Sequence, residues 1–91
     1  MDANLVKELV KKILIESLSL QISPDKIKGE DLINEFGINS VDAISIFISI
    51  ENTFDIFIED EDLSAALISS LESITNYIIG KKTIGDDTWS W

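Results

Sequence analysis

The chain has 91 residues, the size of one small domain, and its 17 acidic and seven basic residues give a net charge of −10. Such a surface repels nucleic acid and anionic membranes and attracts basic protein surfaces, although simple solubility also accounts for it. The absence of cysteine excludes disulfides and thiolate catalysis. The residues at the N-terminus are acidic rather than basic, which argues against a secretory signal. Because no apolar run is long enough for a membrane span, we expect a cytoplasmic protein.

Apolar residues recur at helical spacing near the N-terminus and predict a first helix over residues 2–18. The run Ser23-Pro24-Asp25 then breaks regular structure. Residues 19–39 are therefore predicted to form a long loop between the first and second helices. Because this loop contains many apolar residues, we expect it to pack on the helices, with a short turn at residues 29–34.

The clearest predicted element is a second helix over residues 40–54. Asn39 is a good N-cap, and Asp42 at the third helical position can reach free backbone N–H groups and complement the helix dipole. The apolar arc of this helix is wider than a one-sided surface helix needs. Val41, Ile44 and Ile48 form a second apolar stripe, which either another element of the fold or a partner covers.

Three consecutive acids at residues 60–62 predict the start of a short third helix that ends near residue 67. A fourth helix follows and is predicted to stop before Gly80. The predicted fold class is therefore all-α, a small four-helix bundle with three longer helices and a short third one. Residues 1–80 are expected to form the domain, and residues 81–91, which include Trp89 and Trp91, a C-terminal tail in which disorder is expected.

The composition offers little for catalysis. A serine nucleophile needs a base, but histidine is absent and every lysine is distant from Ser40 in the sequence. The four glycines are scattered rather than gathered in a phosphate-binding loop. The acids between residues 55 and 62 lack the glycine and the closing glutamate of a calcium loop. We therefore predict no metal site and no enzymatic activity.

A junction Gly37-Ile38-Asn39-Ser40 precedes the pair Val41-Asp42 at the start of the second helix. Further along the chain stand Glu51, Phe54-Asp55, the acidic turn at residues 58–62 and the segment at residues 74–78. With the length, the acidity and the order of four helices, these features make residues 5–79 resemble the acyl carrier protein family.

The resemblance implies that Ser40, flanked by Asn39 and Val41, carries a 4′-phosphopantetheine arm. A phosphopantetheinyl transferase would attach this arm from coenzyme A, and acyl groups would be held as thioesters on its thiol. A phosphodiester at a helix N-terminus meets free N–H groups and the favourable end of the dipole. The cofactor would also supply the thiol that the chain lacks. Asn39 stands where most members have aspartate, and Ser45 where housekeeping members usually have an acid, which suggests a specialised member.

The resemblance also implies docking of the second helix and its neighbouring acids on basic patches of acyl-transferring and chain-elongating enzymes. The residues that match this role are Asp42, Ile44, Ile48, Glu51, Asp55, Glu59 and Asp60, together with Val41. An acyl chain is expected to enter the core between Ile46, Ile50, Phe54, Ile58 and Tyr77. Structural packing is the alternative role for both sets. We expect the protein to act as a monomer.

Two alternatives remain open at this stage. One is a stand-alone aminoacyl or peptidyl carrier, which usually has a Gly-Gly-x-Ser junction and a lower net charge. The other is an acidic helical docking module that is never modified, an interpretation favoured by Asn39. The sequence does not indicate which acyl group is carried, or whether the pathway makes fatty acids, polyketides or another product.

Overall fold

The computed structural model describes the backbone of residues 2–89 and the side chains of residues 2–82. Within this part of the chain there are four α-helices: α1 (Ala3–Leu18), α2 (Leu32–Phe36), α3 (Ser40–Phe54) and α4 (Leu71–Trp89). Two short 3-10 turns, Pro24–Lys26 and Asp60–Asp62, lie in the connections. The predicted fold class, an all-α small helical bundle, is confirmed.

Helix α1 is the element that contacts both other long helices, α3 and α4. Asp2 caps it, because its carboxylate accepts a hydrogen bond from the backbone N–H of Asn4 at 2.9 Å. Its buried face carries Val6, Val10, Ile13 and Leu14. None of the helices within residues 2–89 combines the length and apolar character that crossing a bilayer requires.

The loop between α1 and α3 is tied to the segment before α4. The Leu32 N–H donates to the carbonyl of Ser69 at 2.8 Å, and the Leu71 N–H donates to the carbonyl of Gly29 at 2.9 Å. Gly29 has a φ of 81°, and a Cβ at this position would overlap the Leu71 side chain. Only glycine therefore fits here. The Glu35 carboxylate accepts from the Gly29 N–H at 3.0 Å and from the preceding N–H at 2.8 Å, which closes the loop.

Helix α3 has the bounds that the sequence predicts. It buries Ile46, Phe47, Ile50 and Phe54 in the core. The core is completed by apolar side chains from every other α-helix and from the loops: Val6, Val10, Ile13, Leu14, Ile27, Leu32, Ile58, Ile68, Leu71, Ile74 and Ile78. Helix α3 ends where Asp55 adopts the left-handed conformation, with a φ of 54°.

The short α-helix lies earlier in the chain than expected. It is α2, within the loop before α3, whereas the acidic segment forms only the 3-10 turn Asp60–Asp62 instead of a helix to residue 67. Leu63 leaves the helical region of the backbone, with φ −74° and ψ 87°. The chain then makes turns before the side chain of Ile68 enters the core.

The prediction that the fourth helix stops before Gly80 is wrong, because α4 continues to Trp89. One glycine in a helix interior costs only about 1 kcal/mol relative to alanine, which neighbouring helical residues outweigh. The division into a domain of residues 1–80 and a tail of residues 81–91 stays a prediction, and Ser90 and Trp91 lie outside the described residues.

Candidate functional site

Ser40 is the first residue of α3, and its position is set by a reciprocal cap. The Asn39 side-chain oxygen accepts from the Asp42 N–H at 2.8 Å, and the Asp42 carboxylate accepts from the Asn39 N–H at 3.4 Å. Just before this cap, Gly37 ends α2 in the left-handed conformation, with a φ of 62°. The sharp turn between two helices leaves Ser40 exposed to solvent.

The N-terminus of α3 suits an anionic group on the serine. The backbone N–H groups of Ser40 and Val41 have no intramolecular partner among the described residues, as is usual in the first turn of a helix. They lie at the positive end of the helix dipole. The Asp42 carboxylate faces the Asn39 N–H, so part of its charge is compensated locally.

An apolar pocket of about 350 Å³ opens beside Ser40. Asn39 and Ser40 lie at its edge. The remaining lining residues come from three separate parts of the chain: Ile33 and Ile38 from α2 and its end, Ala43, Ile44 and Phe47 from α3, and Leu63, Ser64, Ala65 and Ile68 from the segment before α4. The exposed hydroxyl therefore lies at the mouth of a cavity that is large enough for a small apolar ligand.

The predicted apolar stripe is on the surface of α3. Val41 is 71% exposed, Ile44 58% and Ile48 51%. Ile44 also reaches the pocket beside Ser40. No other part of the described chain covers this stripe, so it is free to meet another molecule.

The acids predicted for docking differ in their availability. Glu51 is half-buried, and its carboxylate accepts from the backbone N–H of Ile58 at 2.9 Å. Asp55 provides the left-handed residue that ends α3. Glu59 forms an ion pair with Lys81 at 3.6 Å, whereas Asp60 is exposed at the start of its 3-10 turn. Both acids of α3, Asp42 and Glu51, thus make intramolecular hydrogen bonds.

The five residues predicted to line an acyl cavity lie elsewhere. Ile46, Ile50, Phe54 and Ile58 belong to the tightly buried core. Tyr77 is half-buried, and its hydroxyl donates to the Asp62 carboxylate at 2.8 Å. None of these residues lines the pocket beside Ser40, and their contact with a bound chain stays a prediction.

Most residues of the pocket wall are not predicted from the sequence. The sequence predicts Ile33 and Ile38 only as part of an apolar loop and Leu63 and Ala65 only as part of the short third helix, and it assigns Ile68 no role. The signal in the sequence is the high apolar content of the loop before α3 and of the stretch before α4, because apolar segments of a small domain must pack against its other residues. Within the described residues, no group of three or more acidic side chains is arranged to hold a metal ion.

Comparison with known proteins identifies the family, although no family model matches the chain. The chain is 33% identical over 70 residues to an acyl carrier protein of Bdellovibrio bacteriovorus, which covers 76% of this chain and 85% of the relative. It is 32% identical over 74 residues to that of Campylobacter fetus, covering 80% and 91%. The acyl carrier protein of Chlorobium phaeobacteroides is 32% identical over 77 residues, covering 84% and 94%. The chain therefore belongs to the acyl carrier protein family.

Proposed function

We propose that this protein holds acyl groups as thioesters on a 4′-phosphopantetheine arm attached to Ser40. The observation that carries the proposal is an exposed serine at the start of a capped helix, at the mouth of an apolar pocket. The described residues fit a phosphodiester, because the N–H groups of Ser40 and Val41 are free and Asn39 carries no charge. The arm supplies the thiol that forms the thioester, since the chain has no cysteine.

The roles of the chain's own residues follow from the site. Asn39 and Asp42 hold the first turn of α3 and so orient the Ser40 hydroxyl outward. The chain has no histidine to deprotonate that hydroxyl, and the nearby Asp42 carboxylate accepts the Asn39 N–H, so we propose that the transferase provides the base. The pocket wall, including Ile33, Phe47 and Ile68, excludes water from an acyl chain that enters beside the serine.

Partner recognition is proposed to combine apolar and acidic contacts. The exposed stripe of Val41, Ile44 and Ile48 begins at the residue after Ser40 and runs along α3, and exposed acids at residues 59–61 add negative charge. An enzyme with a basic rim around an apolar contact would complement this surface. Such partners include the transferase and the enzymes that load, elongate or accept the acyl group. We propose that the protein serves them as a cytoplasmic monomer.

We propose an acyl group as the cargo, and the names of the relatives support this choice. Those reported above are named acyl carrier proteins, which supports an acyl group over an aminoacyl or peptidyl group. The apolar pocket supports the same choice, because the charged amino group of an aminoacyl chain would lose solvation there.

Attachment is tested by incubating the purified protein with a phosphopantetheinyl transferase and coenzyme A and measuring the intact mass. We expect the mass to increase by one arm, and Ser40→Ala to remain unchanged. The matched control is Ser45→Ala, which alters another exposed serine of the same helix and should load like the parent. An adduct that persists in Ser40→Ala would exclude Ser40 as the site. A protein recovered from its native cells without any arm would favour the unmodified docking module.

A further inference from the structure

One side of the pocket beside Ser40 has few fixed contacts. It consists of residues 63–67, which we call the outer wall, and Leu63, Ser64 and Ala65 of this segment line the cavity. Leu63 is 43% exposed, and its neighbours as far as residue 66 are also exposed. The backbone makes turns rather than a helix, with the Leu67 N–H donating to the Ser64 carbonyl at 3.2 Å. A segment with little burial and few hydrogen bonds opens at low free-energy cost.

The two ends of the outer wall are attached in different ways. At its C-terminal end, the buried side chain of Ile68 and the hydrogen bond between Leu32 and Ser69 hold it to the core and to α2. At its N-terminal end, Asp62 immediately precedes Leu63 and accepts the hydrogen bond of the Tyr77 hydroxyl at 2.8 Å. This contact joins the outer wall to α4.

A second pair supports the same end. Lys81 lies one helical turn beyond Tyr77 and pairs with Glu59 at 3.6 Å. The Lys81 ammonium is also 5.6 Å from the centroid of the Tyr77 ring, within the range of a cation–π interaction. Two residues of α4 thus bind Glu59, which precedes the 3-10 turn, and Asp62, which ends it.

We propose that the Tyr77–Asp62 contact is a positioning pair that keeps the outer wall closed over the pocket and so controls how well a bound acyl chain is shielded. The inference rests on the proposed function for its acyl part only. The contact itself exists in the protein without any arm. This role acts through the wall and is separate from the predicted contact of Tyr77 with the acyl chain, which stays a prediction.

Removing this contact should change the open population of the wall by a moderate factor. A hydrogen bond to a charged acceptor at a half-buried site is replaced by water when the wall opens, so only its net contribution is lost. Because solvent at this half-buried site screens the charge of the Asp62 carboxylate, we expect only the contribution of an ordinary hydrogen bond, so that the wall opens about fivefold more often without it. Helix α3 should keep its own stability, because its cap does not involve Tyr77 or Asp62.

The first test uses the unloaded protein and amide hydrogen exchange. The reporting amides are that of Leu67, which donates to the Ser64 carbonyl within the outer wall, and that of Leu63, which donates to the Asp60 carbonyl in the preceding 3-10 turn. We expect about fivefold faster exchange in Tyr77→Phe and in Asp62→Ala, with no further gain in the double variant, because each change removes the same bond. The control is Asp2→Ala, which removes the cap of α1. In this variant the exchange rates of the two reporting amides, compared with those of the amides in α3, should not change. Unchanged rates in the single variants, or additive rates in the double variant, would overturn the proposed contact.

The second test uses protein loaded on Ser40 with short and medium acyl chains. The readout is the rate at which hydroxylamine cleaves the thioester, followed by intact mass. We expect Tyr77→Phe to be cleaved about fivefold faster than the parent for chains long enough to reach the pocket, and equally fast for an acetyl group. Equal rates for all chains would overturn control of shielding by this pair. If Ser40 accepts no arm, the proposed function fails instead, and the exchange experiment still decides whether the contact holds the wall.

Discussion

Replacing Glu51 by alanine should destabilise the fold, although the sequence points to a docking role for this acid. The Glu51 carboxylate accepts the backbone N–H of Ile58 at 2.9 Å, and Ile58 is only 2% exposed. In Glu51→Ala this N–H loses its acceptor in a place that water reaches poorly. An unsatisfied buried donor costs about 1–3 kcal/mol, and bonds to charged acceptors lie towards the upper end.

The expected loss is measurable by urea unfolding. With a urea m value of about 1–2 kcal/mol/M for a small domain, a loss of about 2 kcal/mol lowers the midpoint by about 1–2 M. Glu51→Gln should recover part of the loss, since the amide oxygen can still accept the bond without the charge. The matched control is Glu61→Ala, an exposed acid, whose effect should stay within about 0.5 kcal/mol.

The reasoning is refuted if Glu51→Ala and Glu61→Ala unfold at the same urea concentration with the same slope. In that case the carboxylate of Glu51 would be free to bind partners, as the sequence predicts. A destabilised Glu51→Ala that nevertheless loads normally at Ser40 would assign Glu51 to the structure of the loop after α3 and not to recognition by the transferase.

Two further predictions concern α4. The buried hydroxyl of Thr75 has no hydrogen-bond partner among the described residues, so Thr75→Val should raise the free energy of unfolding by about 1 kcal/mol, measured by urea unfolding; a loss of stability would show that the hydroxyl is satisfied. Burial and the hydrogen bond to Asp62 raise the pKa of Tyr77, the only tyrosine, above its ordinary value of about 10. The protonated Tyr77 hydroxyl therefore stabilises the fold fully below its ordinary pKa, and this stabilisation is lost as the pH rises through the raised pKa. The tyrosinate absorbance should titrate at a lower pH in Asp62→Asn, and an unchanged midpoint would contradict the contact.

Local rules were sufficient for the helix that carries Ser40. The start of α3 follows from the capping chemistry of Asn39 and Asp42, and its length from an uninterrupted run of helix-compatible residues. The same kind of rule failed at the acidic turn and at Gly80. Adjacent acids favour a helix start but do not decide how far the helix runs, and one glycine weakens a helix without ending it.

By itself, the sequence determined an acidic helical domain with a serine displayed at the first turn of its central helix. Only the tertiary structure decided which residues surround that serine, because the pocket joins α2, α3 and the outer wall, segments that are distant along the chain. It also decided that Glu51 turns inward to Ile58 and that Tyr77 binds Asp62. Capping and periodicity act within a few residues, whereas the partners of a side chain across the bundle are set by how the helices pack.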